Sequence, residues 1–165
     1  MRSYATILVL LLFYTSNCFG QNLQLLAKKV ISADSIWLVS HKQTDGIAIL
    51  DTITNKKSYP EKVVHNGTPN FDVIIQSMVL PDSFRKNLVS ILEIPNTDTI
   101  IETCQFIPFH SILIFKDGKI DFLDVCFACN SYFISDDPDS ENIYMGIQLR
   151  KSLELFFKSQ GINLE

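Results

Sequence analysis

Apolar positions along this chain follow two periods, and the switches between them lay out its elements. Phe84, Leu88, Ile91 and Leu92 fall at i, i+4, i+7 and i+8, one stripe of a helix of about three turns. Leu149, Leu153, Phe156 and Phe157 repeat that template, and Gly161 with Ile162 behind it predicts a glycine C-cap. Pro81-Asp82 stops the extended stretch before the first of these helices, and Asp82 is placed to cap it. Leu23, Leu26 and Ala27 share a helical face, so residues 21–30 form a short helix that lacks a strong cap.

Extended segments fill the space between. Ser35-Ile36-Trp37-Leu38-Val39-Ser40 is rich in aromatic and branched residues and reads as a strand. Residues 46–50 read as a second strand, joined to the first by a polar hairpin loop over 41–45. Residues 51–70 are turn-rich, with a short strand at Lys62-Val63-Val64 and a turn at Asn66-Gly67. Residues 71–79 are extended. Two apolar runs around Asp117-Gly118 are a strong hairpin signal. The expected fold is α+β: an antiparallel sheet with a β-hairpin near 109–126 and two amphipathic helices packed on one face.

The first twenty residues read differently. Arg2 leads into a short apolar run over residues 7–14, followed by a polar exit with Cys18 and Gly20 at the small positions before Gln21. A bilayer span takes about 20 apolar residues, so this run is too short to anchor the chain. Residues 1–20 are expected to be a signal peptide and residues 21–165 a single α+β domain. Lipidation at Cys18 is the rival, but Thr15 and Asn17 fit a lipobox poorly. The expected location is therefore periplasmic or extracellular, ahead of an outer-membrane lipoprotein.

With 47 % hydrophobic and 19 % charged residues in a chain of 165, collagen-like, low-complexity and disordered classes are excluded. Losing residues 1–20 removes Arg2 and no acid, which takes the formal charge from −4 to −5. Lys28-Lys29 and Lys56-Lys57 are scattered pairs and make no positive footprint. Nucleic acid is not an expected partner, and no later segment approaches transmembrane length.

After Cys18 leaves with the signal, Cys104, Cys126 and Cys129 remain, an odd number in an oxidising compartment. The hairpin register decides whether His110 meets them. A two-residue loop sets Phe109 opposite Cys126 and His110 opposite Val125, with His110 and Cys126 on opposite faces. A bulged three-residue loop sets His110 opposite Asp124, on the same face as Cys126. The bulged form also collects Ile112, Ile114, Ile120 and Phe122 on one face, and the pattern leans that way.

In that register Cys104, His110, Cys126 and Cys129 make a Cys3His set of the kind that holds structural zinc through soft thiolate anions. The rival is a disulfide, Cys104 to Cys126 or Cys104 to Cys129, tying the hairpin to the preceding segment and adding about 2–4 kcal/mol. Thiol redox chemistry by Cys126 and Cys129 is a third reading. It asks for a helix N-terminus at the first thiol, whereas Asn130-Ser131-Tyr132-Phe133-Ile134 continues as strand.

The run Cys-x5-His, then Ile-x-Ile-Phe-x-Asp-Gly-Lys, then Cys-Phe-x-Cys-Asn, with a final Phe-Phe-x3-Gly-Ile, resembles a family of small exported bacterial proteins. The resemblance covers residues 65–162, and Phe109 departs from it where the family carries Arg or another polar residue. It implies export and a single domain, and it implies no activity.

Other signals are weaker. Asp136, Asp137, Asp139 and Glu141 lack the glycine and spacing of a calcium loop. His41 and His65 sit beside turns and are expected to be exposed. Ser40-His41 is no triad, because neighbours along a strand point to opposite faces. No nucleophile elbow, phosphate loop or His-Glu-x-x-His run occurs. The sequence reading is an exported, non-catalytic interaction or envelope-associated module stabilised by its cysteine cluster. Its partner, protein or small molecule, is unidentified. A zinc-binding or thiol-redox protein built on the same four residues is the alternative.

Overall fold

The computed structural model describes residues 21–44, 49–50, 57–58, 61–99, 104–135 and 143–164. The expected signal segment and the acidic loop at 136–142 lie outside them.

Four strands flank the long central hairpin. β1 (Ser35–His41) lies between β6 (Ile74–Val79) and β7 (His110–Lys116); β8 (Lys119–Cys126), β9 (Ser131–Ile134) and β10 (Ile143–Tyr144) follow. Together they form one antiparallel sheet in the order β10-β9-β8-β7-β1-β6. β2 (Ile49–Leu50) pairs with β3 (Lys57–Ser58), and β4 (Val64–His65) pairs with β5 (Thr68–Pro69). Of the strand expected over residues 46–50, the described part, Ile49–Leu50, pairs with β3 and not with β1, and residues 46–48 lie outside the described residues. β1 takes both its neighbours from far along the chain, because a central strand this apolar needs partners on both edges.

Three helices, the expected amphipathic pair and the short helix expected from residue 21, cover a single face of this sheet: α1 (Gln21–Ser32), α2 (Asp82–Leu92) and α3 (Ile147–Ser159). Leu26 and Val30, Leu88 and Leu92, and Leu149, Leu153 and Phe157 meet Ile36, Leu38, Ile112, Ile114 and Leu123 in one core. Each such side chain contributes about 1.5–3 kcal/mol by leaving water. Phe84, the first member of its stripe, sits at the rim and stays 40 % exposed.

The helix ends explain how the layer is fastened. α2 begins at Pro81 with no side-chain cap, so the capping role expected for Asp82 is not realised. Asp82 instead holds Arg85 at 2.6 Å, and Arg85 donates to the carbonyls of Val30 and Ala33 at the end of α1. A cation there complements the helix dipole and satisfies terminal carbonyls. α3 ends as expected: Gly161 has φ +78°, Ile162 N–H reaches the Phe157 carbonyl, and Gly161 N–H reaches that of Lys158. Among the described residues no helix is long and apolar enough to cross a membrane.

Candidate functional site

The β7–β8 register decides where the chemistry sits. Asp117 and Gly118 both have positive φ, 49° and 74°, and Lys116 pairs with Lys119. This is a two-residue turn whose twist matches that of the strands. The bulged loop favoured by the hydrophobic pattern is thus corrected. The carboxylate of Asp34 accepts the Asp117 N–H at 2.9 Å and meets Lys116 at 3.3 Å, which ties the turn to the start of β1. Those two contacts hold the Asp34 carboxyl below the usual carboxylate range, the Asp117 amide most of all.

In this register His110 faces Val125 on the helix-covered side. Its Nε2–H donates to the Asn163 carbonyl at 2.9 Å, and its ring lies 5.3 Å from Phe127 and 5.7 Å from Phe157. Burial pushes the His110 pKa down, partly offset by that carbonyl. Cys126 points to the opposite face, where Phe106, Cys129 and Phe133 surround it. His110 and the sulfurs, expected to converge, are separated by the sheet itself. Among the described residues no group of three or more His, Cys, Asp or Glu side chains is arranged to hold a metal ion.

The sulfurs do converge. β8 ends at Cys126, a turn over residues 127–130 follows, and Asn130 closes it in the left-handed region at φ 52°. Cys129 is bonded to Cys104 in a disulfide whose Cα atoms are 5.5 Å apart. Cys126 is a free, buried thiol, and its Sγ accepts the Cys129 N–H at 3.2 Å. The bridge pins residues 104–109, which have no regular structure, onto the β8–β9 turn.

A second polar group on the same face lay beyond the sequence reading. His41, expected to be exposed, is 1 % exposed. It follows Ser40 across a bulge, where β6 carries the extra residue Ile75, and it faces away from the helices toward Ser111. His41 Nδ1–H donates to the Lys42 carbonyl at 2.8 Å, and Nε2 lies 2.8 Å from Ser111 Oγ. Ser111 Oγ lies 2.5 Å from Asp124 Oδ1. A carbonyl carries no proton, so Nδ1 must be protonated. The single hydroxyl proton of Ser111 then faces two acceptors, His41 Nε2 and Asp124 Oδ1. One further proton completes the chain, either on Nε2 or on Asp124. Burial pushes the His41 pKa down to about 4. Serine stands between histidine and aspartate, so histidine is not the middle member as it is in a nucleophilic triad. The legible signal was Ser111 and Asp124 themselves, polar residues inside otherwise apolar strands.

An open groove of about 580 Å³ lies beyond the β8–β9 turn, lined by Phe127, Arg150, Glu154, Lys158, Ile162 and Leu164. Arg150 and Glu154, one turn apart on α3, pair along its wall at 3.0 Å. The fold and these groups define an α+β domain with a disulfide-pinned segment and a buried polar chain on the face its helices leave open. Comparison with protein-family models, with curated proteins and with solved structures found no match.

Proposed function

We propose that the chain is an exported, non-catalytic interaction module that binds by adding a strand to the free edge of its sheet at β6. The observation carrying this reading is the chemistry of that edge. Ile-Ile-Gln-Ser-Met-Val holds no charge and no proline, the usual guards of an exposed edge. Among the described residues no strand pairs with its outer side. Ile75 is 69 % exposed and Val79 57 %. Trp37 and Phe71, with ring centroids 6.2 Å apart, extend the same apolar face. Leu80 N–H bonds the Ile36 carbonyl, so the backbone groups of Ile75, Ser77 and Val79 alternate outward.

A second copy of the chain is the occupant this edge fits. Antiparallel pairing about Ser77 sets Ile75 of one copy beside Val79 of the other, so the edge is complementary to itself. The signal-like residues 1–20 and the disulfide support export, since such bridges persist in oxidising compartments.

Sedimentation velocity over a concentration series tests the reading. The wild type is expected to associate, and Ser77→Lys to remain monomeric with unchanged stability. A synthetic Ile-Ile-Gln-Ser-Met-Val peptide should compete with association. Identical behaviour of wild type and Ser77→Lys, with no peptide binding by either, removes β6 as the docking edge.

A further inference from the structure

We propose that the three cysteines form an exchanging set, in which Cys126 displaces Cys104 from Cys129 and leaves Cys104 as a site of covalent attachment for a partner disulfide. The inference is independent of the β6 edge.

Position argues for it first. The Cys126 sulfur accepts the backbone N–H of Cys129 at 3.2 Å, and the two cysteines lie three places apart in one tight turn. Cys126 and Cys129 are both buried, at 2 % and 3 % exposure, whereas Cys104 lies exposed at the start of an irregular segment. Attack on Cys129 therefore expels the one sulfur that water can reach and solvate. Attack on Cys104 would strand the Cys129 thiolate in an apolar pocket beside Phe106 and Phe133.

The exchange balances without an outside oxidant. Cys126 loses its proton, its thiolate attacks Cys129 Sγ, and a Cys126–Cys129 bond forms as the Cys104–Cys129 bond breaks. Cys104 leaves as a thiolate and takes up a proton. One disulfide and one thiol are present before and after. The new bridge closes the Cys-Phe-Ala-Cys turn on itself, and residues 104–109 then keep the packing of Phe106 and Pro108 and the hydrogen bond from the His41 N–H to the Phe109 carbonyl. The freed Cys104 thiolate can attack a small or protein disulfide, forming a mixed disulfide and releasing the other half as a thiol.

Alkylation of the folded, oxidised full chain, carrying Cys18→Ser in every case so that only the three cysteines are read, with iodoacetamide near pH 8 and digestion without reductant, reads the pairing. The expected result is label accumulating on Cys104, together with a Cys126–Cys129 bridged peptide. Cys126→Ser should take no label and keep its Cys104–Cys129 bridge. Cys104→Ser should show a two-hydrogen mass deficit and no titratable thiol. In the wild type, label on Cys126 with the Cys104–Cys129 bridge intact overturns the proposal. So does the absence of any label before unfolding, a reading that holds even if a variant fails to fold.

Discussion

The two faces of the central sheet are built from the same strands and differ in nearly everything else. On one face three helices close over Ile36, Leu38, Ile112, Ile114 and Leu123, and polar groups lie toward its ends, where His110 meets the tail carbonyl of Asn163 and Lys29 pairs with Asp121 at 2.9 Å. On the other, Val39 and Leu113 make a small apolar cluster with Val63, flanked by the His41–Ser111–Asp124 chain and the sulfurs. Toward β6 that face lies open at Ile75, Val79 and Phe71. The helix-covered face supplies the larger core, while the other face carries the reactive groups and the free edge. Chemistry has gathered where packing is least complete.

Breaking the helix-covered face should cost most. Phe157→Ala removes a fully buried ring shared with His110 and Phe127, and a loss of about 3–5 kcal/mol is expected in urea denaturation. Phe115→Ala on the opposite face, a half-buried ring 5.0 Å from Trp37, should cost clearly less. Equal losses would show that the two faces share the stability evenly.

Reducing the disulfide comes next. Cys104 and Cys129 are separated by 25 residues, and opening a loop of that size should lower stability by about 3 kcal/mol, read as a shifted denaturation midpoint of reduced against oxidised protein.

Acidification tests the buried chain. His41 is held down to about 4 in the fold, against about 6.5 in an unfolded chain. The unfolded state therefore takes up its proton first as pH falls. The stabilisation is complete above about pH 6.5 and is lost between there and about pH 4, to an extent of about 3 kcal/mol at about 1.4 kcal/mol per pKa unit. His110, also shifted down by burial, acts in the same direction. Urea midpoints at pH 7 and pH 4.5 should differ accordingly, and His41→Gln should flatten the difference. Stability that instead rises on acidification would place the extra proton on His41, as a cation facing Asp124 through Ser111.

The smallest effect belongs to the edge. Ser77→Lys is expected to change monomer stability by less than about 0.5 kcal/mol, since the residue is exposed. A large loss would mean that β6 is a structural strand with a covered outer side.

Much of the helix layer was legible in the residues. The stripes of α2 and α3 and the glycine end of α3 follow from a period of 3.6 and from the left-handed conformation at Gly161, both local properties. The sheet was legible only in part. The Asn66-Gly67 turn joins neighbouring strands as its residues suggest, with φ 49° and 74°. By contrast, the neighbours of β1 lie far away in sequence, and no local pattern names them. At the site, Cys104 and Cys129 form one of the two bridges the residues allowed, and His110 lies on the other face of the sheet.

By itself the sequence determined the α+β class, the hairpin at Asp117-Gly118, the helix stripes and the odd number of cysteines after residue 20, because each depends on residue type and short-range spacing. Tertiary structure alone decided the hairpin register, with the carboxylate of Asp34 seated on the turn amide, and with it which face each side chain serves. A side-chain period of two means that a shift of one residue moves every group to the other face. That shift separates His110 from the sulfurs, while the pairing of β1 with β7 brings His41 to Ser111 across 70 residues of chain.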